Sequence, residues 1–124
     1  MRREYFDIDG FENVYLEDSF VRDIREELNE VVFEIDAVLR ESHNLYEEPQ
    51  FDEEYCYRKA EIIFTDVQCI EWKNRRMQKF SDVKSEIDYG NIDEFYLDDQ
   101  AYHLSGDWGD VKIISKQPEL HILD

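Results

Sequence analysis

The side chains with the most chemical reach in this chain are its carboxylates and its histidines: 32 Asp and Glu but only three His among 124 residues. His103 and Asp107 lie four positions apart near the C-terminus. Across a hairpin, that spacing would let a carboxylate orient an imidazole for general acid–base work. No Ser or Cys nucleophile with a supporting motif accompanies them, so a structural histidine is the competing reading. His43, His103 and His121 are far apart in sequence, and a zinc ion needs three or four converging ligands. Asp7-Ile8-Asp9-Gly10 begins like a calcium loop. An EF-hand loop needs three alternating oxygen ligands before its Gly and a Glu six residues after it. Both are missing, and a turn is expected. In Ile87–Phe95, Asp88, Asn91 and Asp93 could offer oxygens to a cation. The competing reading is a Gly90-Asn91 turn whose side chains bond their own backbone.

Carboxylate pairs suited to glycoside chemistry have no specificity here, because so many acids place some pairs at catalytic separation by chance. There is no phosphate-binding Gly loop, nucleophile elbow or zinc-protease helix. The expectation is a protein that is not an enzyme and has neither metal nor cofactor.

Two binding sites can be framed instead. The first is the acidic loop with interleaved aromatics, in which Tyr46, Glu47, Glu48, Phe51, Asp52, Glu53 and Tyr55 would meet a basic protein partner. Aromatic anchors ringed by carboxylates suit such a partner, although a solvated loop leading into an edge strand has the same composition. The alternative is a small-ligand or metal site in which His103, Asp107 and Trp108 approach Asp88 and Asp93.

Charge sets the limits on both. The net charge is −18, which argues against nucleic acid, whose phosphates require Lys and Arg, and against anionic membrane surfaces. It favours steered encounter with a basic protein, and equally favours plain solubility. The charge is polarised: residues 1–54 carry −13, residues 55–84 carry +3 and residues 85–124 carry −8. The basic island Lys73-Asn74-Arg75-Arg76 with Lys79 is expected to pair with the domain's own acids.

The elements that must position these groups are read from periodicity. A length of 124 residues fits one domain, 1–124, and eight Tyr, eight Phe and two Trp are enough for a core. No apolar run approaches the roughly 20 residues of a spanning helix. The N-terminus lacks a secretory h-region, so a cytoplasmic location is expected, with Cys56 and Cys69 as free thiols. Residues 54–64 and 67–73 read as two strands, and the Thr65-Asp66 turn between them suggests a hairpin. Tyr102–Ser105 and Val111–Ile114 flank a second hairpin connection, and 120–123 reads as a last strand. Residues 41–53 and 76–86 read as loops. Phe20–Leu39 is ambiguous: an apolar helical stripe fits all but Phe33 and Ala37, while a hairpin pairing 20–27 with 31–40 places Phe33 inside.

Tyr15–Val21, Phe33–Leu39, Ile87–Asp93 and Tyr102–Gly109 together resemble a family of small acidic bacterial proteins of uncharacterised role. That family is similar in turn to the immunity proteins of polymorphic toxin systems. The resemblance implies paired strands over 20–39 and a protein partner, and carries over no functional residues. The expected fold is a mainly β single domain of about seven strands, an antiparallel β-sandwich or partly closed barrel, with α+β and a helix over 20–39 as the alternative. The expected core comprises Phe33, Ile35, Leu39, Ile62, Phe64, Ile70, Trp72, Leu104, Val111 and Ile113.

Overall fold

The computed structural model describes the backbone of residues 2–49, 55–75, 80–81 and 87–123, and their side chains except those of 80, 81, 87 and 88. Alternation of apolar and charged residues dominates it. Along β3 (Glu30–Leu39), Val31, Phe33, Ile35, Ala37 and Leu39 all enter the core. The residues between them face outward, as the two-residue period of a strand requires. β3 pairs with β2 (Val14–Glu27) through a two-residue turn at Leu28-Asn29, where Asn29 takes φ 63°. Asn tolerates that left-handed conformation better than most residues. The helical alternative for 20–39 is thereby overturned: Phe33 is fully buried, and only the strand pair puts it there.

Two antiparallel sheets face each other as a sandwich, not a closed barrel. One is ordered β11-β4-β3-β2, with β4 at Tyr57–Thr65 and β11 at Glu119–Ile122. The other is ordered β1-β8-β9-β10-β5, comprising Arg2–Glu4, Ile92–Asp98, Ala101–Gly106, Gly109–Ile114 and Cys69–Lys73. A short pair, β6 (Phe80–Ser81) and β7 (Ile87–Asp88), forms a separate two-stranded sheet whose β7 runs next to β2.

The count of nine strands in the two sheets exceeds the expected seven because β1 and β8 lack a clean signal. β1 is Arg-Arg-Glu and shows no apolar alternation. In β8 a register shift between Ile92 and Glu94 puts Ile92 and Phe95 both inside, and such a bulge breaks the period.

One pairing differs from expectation. β4 and β5 are not a hairpin: β4 joins β3 and β11, whereas β5 pairs with β10 in the opposite sheet. The bend after Thr65 is real, with Asp66 at φ 53°, but it carries the chain across the sandwich. Asn29 O then accepts the Val67 N–H at 3.0 Å, and Ile114 O the Gln68 N–H at 2.7 Å. The second hairpin, β9–β10, forms as expected around Asp107-Trp108.

The expected core residues are buried, with Ile70 and Trp72 packed against the core and partly exposed. Asp7–Gly10 is a turn following a short 3-10 segment at Tyr5–Asp7, with Gly10 at φ 96°. Cys56 and Cys69 are both free thiols.

The two sheets touch through the backbone at one corner. Val21 donates to Gly90 O and Tyr89 to Val21 O, each at 2.8 Å. Asn91 Nδ2 donates to Glu17 O at 2.8 Å, so this amide spans the two layers and does not fold back on its own turn.

Candidate functional site

The acidic loop leaves β3 through two successive turns. Arg40 N donates to Asn13 O, His43 N to Arg40 O and Tyr46 N to His43 O. The Arg40 guanidinium lies 4.0 Å above the Tyr15 ring, a cation–π contact that holds the loop's base against β2. Farther on, Arg58 of β4 donates to Leu45 O at 3.3 Å and to the Glu47 carboxylate at 3.2 Å. These bonds lay residues 45–47 alongside 56–58. Tyr46 packs against the core, while Glu47 and Glu48 stay exposed. Tyr55 meets Tyr57 edge-on at 6.1 Å, and Tyr57 stacks on Phe20 at 5.9 Å. Tyr46, Glu47, Glu48 and Tyr55 thus gather at one end of β4; Phe51, Asp52 and Glu53 lie outside the described residues.

The residues of the alternative ligand site do not converge. Trp108 is fully buried, edge-on to Phe33 at 5.3 Å and to Trp72 at 6.1 Å. Its indole N–H is spent on Asn91 O at 3.0 Å. His103 is on the solvent side of its sheet, stacked on Tyr96 at 4.8 Å and in register with Lys112. Asp107, exposed in the hairpin turn, packs on Gly90, where a Cβ would stand 2.7 Å from its Oδ2. Asp93 is close enough to feel it: partial burial, then Asp107 and Glu94, push the Asp93 carboxyl above its usual value. Asp88 lies in β7. Asp93 and Asp107 are therefore neighbours, without His103 or Trp108. Among the described residues no group of three or more His, Cys, Asp or Glu could hold a metal ion.

Register also creates groupings that single-chain reading misses. Across the outer face of the five-stranded sheet, Glu4, Tyr96, His103, Lys112 and Glu71 form one continuous row. On this face opposite charges meet directly: Arg2 with Asp98, Lys112 with Glu71, and Lys73 with Asp110. Arg2 also donates to Glu94 at 2.9 Å and sits 3.7 Å over the Tyr96 ring.

The outer face of the four-stranded sheet is arranged differently. Asp23, Glu34, Glu61 and His121 form a row across all four strands, and Glu27 stands opposite Glu30. Arg25 alone serves three carboxylates there, Glu34 at 2.6 Å, Glu61 at 3.1 Å and Glu27 at 3.3 Å. Beyond an Arg22–Asp36 ion pair, the face ends in Phe20, Tyr57 and Tyr15. The alternation of each strand shows which residues face out, but only pairing register reveals that acids meet acids.

These features define an antiparallel β-sandwich with a heavily acidic surface and two unlike outer faces. Comparison of the chain with protein-family models, with curated proteins and with solved structures finds no match.

Proposed function

We propose that this protein is a non-enzymatic binding module whose acidic surface engages a basic protein, as an immunity protein engages a toxin. The observation that supports the reading is the pinned loop. Arg58 fixes residues 45–47 at the end of β4 that also carries the Tyr55–Tyr57–Phe20 aromatic series, while Glu47 and Glu48 remain in water. An ordered aromatic anchor costs little side-chain entropy on binding, and nearby carboxylates speed encounter with a positively charged surface. A cytoplasmic location accords with this reading, and no helix among the described residues is long and apolar enough to cross a membrane.

The test is titration calorimetry against a basic protein encoded beside this one. Affinity should fall as salt rises from about 0.05 to 0.5 M, a range over which exposed charges become screened. It should fall again when Glu47, Glu48, Asp52 and Glu53 are made neutral. Binding indifferent to both salt and charge would refute the proposal.

A further inference from the structure

We infer that the basic partner docks on the outer face of β2, β3, β4 and β11. Tyr15, Phe20 and Tyr57 serve there as apolar anchors, and Asp23, Glu34 and Glu61 meet the partner's cations. The inference rests on the reading just proposed and assigns it a surface.

The two outer faces contrast in how their charges meet. Like charges directly opposite each other on neighbouring strands are destabilising, and opposite charges are favourable. The five-stranded sheet follows that rule on its outer side, where Arg2, Lys73 and Lys112 each face an acid. The four-stranded sheet breaks it twice, in the Asp23–Glu34–Glu61 row and in the Glu27–Glu30 pair. Its outward residues include seven carboxylates, Asp23, Glu27, Glu30, Glu34, Asp36, Glu61 and Glu119. Against them stand three fixed cations, Arg22, Arg25 and Lys59, a difference of −4. Arg25 bridges Glu34, Glu61 and Glu27, and Arg22 pairs with Asp36. Among the described residues the face still keeps an excess of carboxylates that guanidinium or ammonium groups from outside would offset.

The apolar half of the face is independent of the charge. Val32 and Val38 point to the outer side of the sheet, yet each is only 1% exposed. Val38 stands between Tyr15 and Tyr57, its register partners, and Tyr15 is 40% exposed. Val32 lies between Arg25 and Ile63, whereas Val38 is a dry aliphatic floor beside partly exposed aromatic rings, the composition of an interface centre.

Charge decides the occupant. A second copy of this chain, at −18, repels the first, and nucleic acid or an anionic bilayer would meet the same repulsion. A protein segment that alternates apolar and basic side chains matches both halves of the face.

The probe is a synthetic peptide alternating arginine and leucine over about eight residues, a common strand length. It is titrated into the isotopically labelled protein and followed by amide chemical shifts. Saturable shifts clustered on β2, β3 and β4 are expected. The triple variant D23N/E34Q/E61Q should weaken binding by at least about tenfold, the effect of losing well-placed charge pairs. A charge-matched control on the other face, E4Q/E71Q/D110N, should change it less than about twofold. If the control weakens binding as much as the triple variant, or the shifts map to the five-stranded sheet, the assigned face is wrong. The basic-partner reading would then still stand. If the peptide does not bind at low salt, both are overturned.

Discussion

Ser19 Oγ accepts the Val38 N–H at 3.0 Å, and its own hydroxyl donates to Tyr15 O at 2.6 Å. β2 slips register between Tyr15 and Phe20, so Val38 has no regular ladder acceptor at that point, and the serine supplies one. Ser19 is fully buried. Replacing it with Ala strands the Val38 N–H away from water, and S19A should cost about 1–3 kcal/mol. Urea unfolding measures this, and a loss below about 0.5 kcal/mol would show that the bulge has another way to satisfy its backbone.

A second lock is steric. A Cβ on Gly106 would stand 2.2 Å from Asn91 O and 2.5 Å from Trp108 Nε1, the two atoms whose hydrogen bond joins the hairpin to the inter-sheet corner. G106A must therefore displace backbone or the buried indole and should cost more than about 2 kcal/mol. Gly10 provides the comparison: nothing lies within 4 Å of its Cβ position, although φ is +96°. G10A should cost only about 1 kcal/mol. Thermal unfolding and tryptophan fluorescence distinguish the two, and equal losses would mean that close approach at Gly106 is unimportant.

These locks also show where sequence reading reaches its limit. Phe33 favours the 20–39 hairpin, because a helix leaves one large aromatic off its stripe, yet periodicity by itself leaves both readings open. Asp66 correctly marked a bend, but turn chemistry says that the chain reverses, not which sheet receives it. From the sequence β5 consequently reads as the partner of β4. In the sequence Trp108 reads as available, set in a polar Gly-Asp-Trp-Gly stretch; its burial depends on Phe33 and Asn91, far away in the chain. The loop at Tyr46–Glu48 and Tyr55 could be found from composition. The Asp23–Glu34–Glu61 row could not, because it exists only once three strands are in register.

Two buried phenols should make the fold sensitive to alkali. Burial, reinforced by the Tyr5 hydrogen bond to Glu17, raises the Tyr5 phenol far above its usual value; burial also raises that of Tyr102. The folded state then retains protons that the unfolded chain releases. The associated stability is complete below the ordinary tyrosine value near 10 and is lost as pH rises above it. In a pH titration, phenolate absorbance from these two of the eight tyrosines should appear only with unfolding. Y102F should flatten the alkaline decline, and an unchanged slope would contradict the assignment.

Asp93 should behave with the same sign as the phenols, but in the acid range. Its carboxyl is raised first by burial and then by Asp107 and Glu94, so its ionised form is disfavoured in the folded state. Stability withheld at neutral pH returns as pH falls through the raised value, and is fully recovered below the unfolded value. D93N should therefore raise the melting temperature at pH about 7 and lose that advantage near pH about 3. A gain that persists in acid would point to packing and not to charge.

Glu27 and Glu30 bracket the Leu28-Asn29 turn as a directly opposed pair, with Arg25 3.3 Å from Glu27. E30K converts repulsion into attraction at one position without touching the core. Cross-strand pairs of this kind are worth about 0.2–1 kcal/mol, so E30K should stabilise the protein by roughly that amount at low salt. E30Q, which removes the repulsion without adding attraction, should fall between the two. The wild type at −18 should also gain stability as salt screens its self-repulsion, and E30K should gain less. The three proteins should then converge near about 1 M salt, where the screening length is about 3 Å. An advantage of E30K undiminished by salt would trace to strand propensity, and the like-charge register would then carry no energetic weight at this position.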